Sequence, residues 1–333
     1  MRVCIYGAGA VGGYIAARLG EARAAEISVV ARGAQKDAII ADGIRLETPE
    51  GVIHVRPDRV TDNALELPAQ DVTFVALKVM SQASAAKQFS HLAGEDGVAV
   101  FAANGIPWWW KYGSSSPAAL PLLDPEGALW HQFGAQRAIG CVVYSANEVI
   151  APGSIKHKGN NRWVLGEASN VLTERLQRIV HLMRAGGIAA EASAVLREEI
   201  LAKLLRNAAI NSLCALTRLP VDGLAEDQEL LAIADAIVDE IISVSLALGY
   251  DISAHREAAL TQLRRGGAEG KFPPVKGLRP SMLQDVLANR PIEVEAILGQ
   301  FKALAQETGA PCPTIESVLP LIRGLDRSLK ARN

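Results

Sequence analysis

A chain of 333 residues with 49% hydrophobic side chains suits about two folded domains with sizeable cores, which excludes a disordered chain. Its 34 basic and 36 acidic side chains are intermingled and leave a formal charge of −2, so no surface for nucleic acid or an anionic membrane is expected. No run of about 18 or more uncharged apolar residues reads as a membrane span once the glycine-rich start is accounted for.

The run Arg2 to Ala17, RVCIYGAGAVGGYIAA, reads as a buried strand, a glycine turn and the first turns of a helix. Gly7, Gly9 and Gly12 give GxGxxG directly after the apolar Val3 to Tyr6, the spacing at which a backbone turns tightly and approaches a pyrophosphate. The helix N-terminus beyond supplies N–H groups and a positive dipole end for that anion. A secretory signal is the alternative, but a signal core studded with glycines is a poor one. A second strand, Glu26 to Ala31, leads to Arg32, about twenty residues beyond the motif. An acid there would bond the adenosine 2′-hydroxyl of NAD, whereas Arg suits the 2′-phosphate of NADP. NADP(H) is therefore expected, with a solvated strand-end arginine as the alternative.

Ile44 to Leu46 and Val52 to Val55 read as an appended hairpin around Pro49-Glu50-Gly51. Asp71 to Leu77 is a buried strand ending in Lys78, and Val98 to Ala103 another ending in Asn104-Gly105. In an open parallel sheet the ligand lies outside the carboxyl ends of the strands, so both polar residues are candidates, against a surface lysine and a turn-forming Asn-Gly. Trp108, Trp109 and Trp110 open a long loop running to Pro125; they line a pocket or pack beneath that loop, the commoner use of such rings. From Ala138, the runs IGCVVYSA, GSIKHKG and RWVLGE read as strands separated by Pro152-Gly153 and Asn160-Asn161 turns.

From Val171 helical periodicity takes over, near 171–185, 194–216, 226–249, 253–266, 291–308 and 314–330. The expected division is a nucleotide-binding α/β domain over 1–170 and a helical domain over 171–333. In Glu198 to Leu216, Lys203, Asn207 and Asn211 recur at i, i+4 and i+8 and share one stripe. Two asparagines within apolar surroundings weaken a helix, and a solvated face usually carries long charged side chains, so the stripe is expected to serve a cleft. Ser281 and Gln284 form a capping-box pattern with Ser281 as N-cap. A continuous helix would carry Glu293 about 18 Å from Ser281, but Asn289-Arg290-Pro291 breaks it, and Pro291 suits N1 of a second helix. Cys4, Cys141, Cys214 and Cys312 lack CxxC or Cys/His spacing, and the six histidines are scattered. Buried free thiols, a reducing cytoplasm and no metal site are expected.

Taken together, GAGAVGG, Arg32, Lys78, Asn104-Gly105, KLLRNAAIN and SMLQDVLANRPIEVEAILG resemble the ketopantoate (2-dehydropantoate) reductases over nearly the whole chain. The resemblance implies a Rossmann-type domain followed by a helical one. It also implies NADPH-dependent reduction of ketopantoate to pantoate in pantothenate biosynthesis. Lys203 resembles the proton donor to the ketone oxygen, and Glu293 the carboxylate that orients substrate, cofactor and lysine. Asn104, Asn207, Asn211 and Ser281, with Lys203, resemble the substrate contacts. Gly7, Ala8, Gly9, Ala10, Val11, Gly12, Arg32, Lys78, Asn104 and Ala146 resemble the cofactor contacts. Better-characterised members carry substrate-side asparagines where this chain has Val221 and Leu278, and NGIPWWWKYG resembles a paralogous branch. The expected partner is a small 2-keto acid, without nucleic acid or membrane, on a monomer or homodimer. A dehydrogenase for another hydroxy or keto acid and a non-catalytic NADP(H) sensor are the alternatives.

Overall fold

The computed structural model describes residues 1–264 and 276–331. The last two residues of the helix expected over 253–266 fall outside them. The chain forms two compact units, Met1–Ala103 with Pro107–Leu196, and Asn104–Ile106 with Arg197–Asn333.

The first unit runs β1 (Arg2–Tyr6), α1 (Ala10–Glu21), β2 (Glu26–Val30), α2 (Gly33–Asp42), β3 (Ile44–Thr48), β4 (Gly51–Val55) and β5 (Arg59–Thr61). It continues through β6 (Val72–Val75), α3 (Ala86–Ala93), β7 (Val98–Phe101), β8 (Ala138–Ala151), β9 (Ser154–Glu167), α4 (Glu174–Ala185) and β10 (Ala190–Ala192). Among the described residues these strands form one ten-stranded sheet, ordered β4-β3-β9-β8-β7-β6-β1-β2-β5, with β10 beside β9. Its centre is parallel: β1 pairs with β2 and β6, and β6 with β7. Those four strands are buried almost end to end, the signature of a parallel sheet covered on both faces.

α1 packs on β1 and β2 and also on β3, β4, β8 and β9, so the sheet wraps around it. Its small residues make that possible. A Cβ at Gly13 would stand 2.5 Å from Ile155 Cδ1, and one at Gly20 3.3 Å from Val55. The glycine-rich start thus serves packing as well as the turn. The hairpin read as an appendage is the far edge of the same sheet, because β3 pairs in parallel with β9.

Two other expectations change in this unit. Asn160-Asn161 is no turn: β9 runs through it, and Asn160 at φ 56° accompanies a break in register with β8. The strands do not stop at Val171, since β10 follows, and α4 contributes Leu176, Ile179, Val180 and Met183 to the sheet's core. The two compact units divide after Leu196. Trp108, Trp109 and Trp110 are all buried. Trp108 meets Phe101 edge-on at 5.5 Å, and a Cβ at Gly140 would meet the Trp109 ring at 2.4 Å, so they pack beneath the loop.

The second unit is helical: α5 (Leu196–Arg206), a π segment (Asn207–Asn211), α6 (Ser212–Thr217), α7 (Val221–Ala225), α8 (Gln228–Ala247) and α9 (Arg256–Arg264). After the undescribed stretch come α10 (Ser281–Leu287), a second π segment (Glu295–Gly299), α11 (Gln300–Thr308) and α12 (Pro313–Lys330). Asp227 caps α8 by accepting from Glu229 N at 2.9 Å and Leu230 N at 3.0 Å. Glu240 of α8 accepts from Thr314 N at 2.6 Å and Ile315 N at 2.9 Å, closing the start of α12. Among the described residues no helix is long and apolar enough to cross a membrane, and no group of acids, cysteines and histidines has metal-binding proximity.

All four cysteines are buried and free. Burial pushes the Cys4 and Cys214 thiols up to about 12 and Cys312 to about 11, so they stay protonated and poorly nucleophilic. The folded protein at pH 8 is expected to resist an aromatic disulfide reagent, with four thiols titrating after unfolding in urea. Rapid native labelling of Cys4 or Cys214 would contradict this burial.

Candidate active site

The glycine turn in the first unit is built from β1 and α1. Gly7 adopts φ 95°, which favours glycine, and its N–H donates to Val30 O at 2.9 Å, tying the turn to β2. A Cβ at Gly12 would stand 2.0 Å from Gly7 O, so only glycine lets α1 start this close to the strand end. Gly9 is the N-cap, with no side-chain capping bond and no acid in the helix's first turn. A Cβ at Gly9 would meet nothing within 4 Å. Ala8, Ala10 and Val11 complete the turn. An uncapped helix N-terminus beside open space fits an anion such as a pyrophosphate.

Arg32 is exposed and stands just before α2. Burial pushes the Tyr6 phenol up, opposed by the Arg32 guanidinium beside it. The Tyr6 hydroxyl also donates to Gln88 Oε1. Lys78 is half-buried three residues beyond the carboxyl end of β6, at the start of the 3-10 turn Val79–Ser81. Ala146 is exposed on β8 opposite Gly159, where the ladder loses register.

Gln35 was not visible as a site residue in the sequence. Its Nε2 donates to Ala8 O at 2.6 Å, while its Oε1 accepts from Gly153 N at 3.1 Å. A trans peptide points its C=O and N–H in opposite directions, so holding Ala8 O toward Gln35 turns the Gly9 N–H the other way. The only sequence cue is that Gln35 lies on the first turn of α2, three residues after Arg32.

In the second unit, Asn104, Lys203 and Asn207 come together. Lys203 Nζ donates to Asn104 Oδ1 at 2.9 Å, and Asn207 Nδ2 reaches the same oxygen at 3.5 Å. The Asn104 segment is anchored by Ile106 N, which donates to Ala296 O at 2.8 Å. Gly105 at φ 83° fits because a Cβ would stand 2.3 Å from Ala296 O.

Asn207 and Asn211 are 6% and 7% exposed, so the stripe does not face solvent. They bound the first π segment, which packs against the second. Such i→i+5 turns are rare and concentrate at functional sites. Ser281 is exposed as the first residue of α10, whose N-cap is Pro280, so it is not the N-cap expected. The Gln284 side chain donates instead to Arg279 O at 2.8 Å. Glu293 is half-buried, and the helical path begins at Val294, so Pro291 lies outside the helix rather than at N1. Glu293 O accepts from Ile297 N at 3.3 Å as that helix starts.

A family model described as ketopantoate reductase PanE/ApbA matches residues 3–170, and its C-terminal counterpart matches 195–326. The chain belongs to the ketopantoate reductase family. It is 37% identical to a 2-dehydropantoate 2-reductase of Mesorhizobium japonicum over 330 residues, covering 98% of each chain. A structure described as a ketopantoate reductase of Ralstonia solanacearum superposes with TM-score 0.89 at 31% identity, covering 98% of each chain. The 2-dehydropantoate 2-reductase of Methylococcus capsulatus superposes with TM-score 0.81 at 26% identity, covering 99% of this chain and 98% of that one. As a ketopantoate reductase family member the chain is an oxidoreductase, with the Rossmann-like and helical parts expected.

Proposed function

We propose that this chain uses NADPH to reduce a 2-keto acid to a 2-hydroxy acid, with 2-dehydropantoate reduced to pantoate for pantothenate biosynthesis as the leading substrate. The observation that carries the reading is the Lys203 ammonium held at 2.9 Å by Asn104 Oδ1, an oxygen it shares with the buried Asn207. NADPH supplies a hydride when bound. The uncapped first turn of α1 would bind its pyrophosphate, and Arg32 its 2′-phosphate, with Lys78 and Ala146 as further cofactor contacts. Lys203 holds a proton at Nζ and stabilises the negative charge that develops on the ketone oxygen. Asn207, Asn211 and Ser281 bind the carboxylate and hydroxyl oxygens of the substrate, and Glu293 orients it.

One observation favours a different 2-keto acid. Val221 N donates to Leu278 O at 3.0 Å, so the two positions where the resemblance places substrate-side asparagines adjoin, and both are apolar here. Losing polar contacts changes which acid fits, because a buried unpaired hydroxyl is costly. NADPH oxidation against 2-dehydropantoate and a series of 2-keto acids with apolar side chains tests both readings. Turnover of 2-dehydropantoate at the highest kcat/KM supports the first, and preference for an apolar acid the second.

Arg32→Ala is expected to raise the KM for NADPH at least about tenfold while leaving that for NADH nearly unchanged, from loss of a charge-assisted bond. Equal losses for both dinucleotides would remove Arg32 from phosphate recognition.

A further inference from the structure

Glu293 stands at the end of a stretch that belongs to no helix. α10 ends at Leu287, Asn289 turns the chain at φ 52°, and the helical path resumes only at Val294. The Glu293 carbonyl joins the next helix through Ile297 N, but the segment leading to it needs bonds from outside to hold one position. Two buried acids supply them. Asp285, 8% exposed, receives Arg290 twice: its carbonyl accepts from Arg290 N at 2.8 Å and its Oδ1 from Arg290 Nε at 2.9 Å. Asp326, 7% exposed and near the end of α12, accepts from Ile292 N through Oδ1 at 2.9 Å. Its Oδ2 meets Lys330 Nζ at 2.6 Å.

An acid this buried on the inner face of a helix costs desolvation that a leucine would not, so packing alone does not account for Asp326. What it does is satisfy a buried N–H that lies outside the helix ladder, one residue before Glu293. The bond reaches across 34 residues and fixes the backbone where it matters most for that side chain. Asp285 acts on the other end of the turn through a side chain, holding the Arg290 guanidinium three residues before Glu293.

We infer that Asp326, assisted by Asp285, is a positioning residue for Glu293, setting the carboxylate for substrate without touching it. The inference rests on the role given to Glu293 above. With NADPH and the 2-keto acid that turns over fastest in the series above, Asp326→Ala is expected to lower kcat/KM for the keto acid at least about tenfold, since small displacements near a reacting centre are costly. The KM for NADPH stays unchanged. Asp326→Asn keeps Oδ1 as acceptor for Ile292 N and loses only the charge, so it stays within about threefold of wild type. Lys330→Ala behaves likewise.

Wild-type kcat/KM in folded Asp326→Ala, or a loss in Asp326→Asn as deep as in the alanine variant, would overturn the inference. If the alanine variant does not fold, Asp326→Glu decides: it keeps the carboxylate but displaces the acceptor by one methylene, and wild-type turnover there overturns the inference too. Glu293→Gln in parallel separates the two claims. An unimpaired Glu293→Gln removes the role of Glu293 and the brace with it. An impaired Glu293→Gln beside unimpaired Asp326 variants removes the brace alone.

Discussion

Lys203→Ala is expected to lower kcat by roughly two to four orders of magnitude, the range contributed by a positioned general acid with electrostatic stabilisation of the developing charge. Lys203 donates to Asn104 Oδ1 at 2.9 Å, so its ammonium is fixed relative to a segment that is itself pinned at Ala296. The variant should remain folded, because Lys203 is only half-buried. Lys203→Arg gives the sharper comparison. A guanidinium keeps the positive charge but does not release a proton at neutral pH, so substrate KM should largely recover while kcat stays low. Steady-state kinetics of both variants over a range of keto acid concentrations check this. A Lys203→Arg enzyme with wild-type kcat would leave Lys203 as a binding cation only.

Gly12→Ala is expected to abolish useful dinucleotide binding and to destabilise the fold by about 1–3 kcal/mol, because its Cβ would stand 2.0 Å from Gly7 O, a main-chain atom that cannot swing aside. The turn must shift, and with it the N–H groups proposed to bind the pyrophosphate. Losing two bonds to a charged group costs about 3 kcal/mol, or roughly a hundredfold in affinity. Gly9→Ala isolates the ligand's share. Its Cβ meets nothing within 4 Å in the protein, so thermal stability should not change. A loss of NADPH affinity in that variant, by fluorescence titration, reports what occupies the open space. Unaltered affinity in both variants would remove the turn from the dinucleotide site.

Much of the first unit was legible because strand, glycine turn and helix are local and in register. Arg32 could be read at the end of β2 for the same reason. The wrap of the sheet around α1 could not, since it depends on β3 pairing with β9 across Arg45 and Ser154, a contact no periodicity announces. In the second unit the meeting of Lys203 and Asn207 was legible from their i, i+4 spacing. The π segments were not, because sequence spacing does not distinguish an i→i+5 turn from an α-helix.

The caps failed for a shared physical reason. Ser281 and Pro291 carry the right residue types for helix starts. Each boundary was instead set by partners elsewhere: Gln284 bonds Arg279 O, and Asp326 takes the N–H of Ile292. Asn104 shows the same limit. It was chosen from a strand end, but its bond to Lys203 spans 99 residues and places it with the helical unit.

The most direct test of the account is NADPH oxidation by the purified protein with 2-dehydropantoate and apolar 2-keto acids, with chromatographic identification of the product. The account predicts stoichiometric formation of the 2-hydroxy acid, a higher kcat/KM with NADPH than with NADH, and loss of turnover in Lys203→Ala. A protein that binds NADPH yet reduces no 2-keto acid, or one whose turnover survives Lys203→Ala, would contradict it.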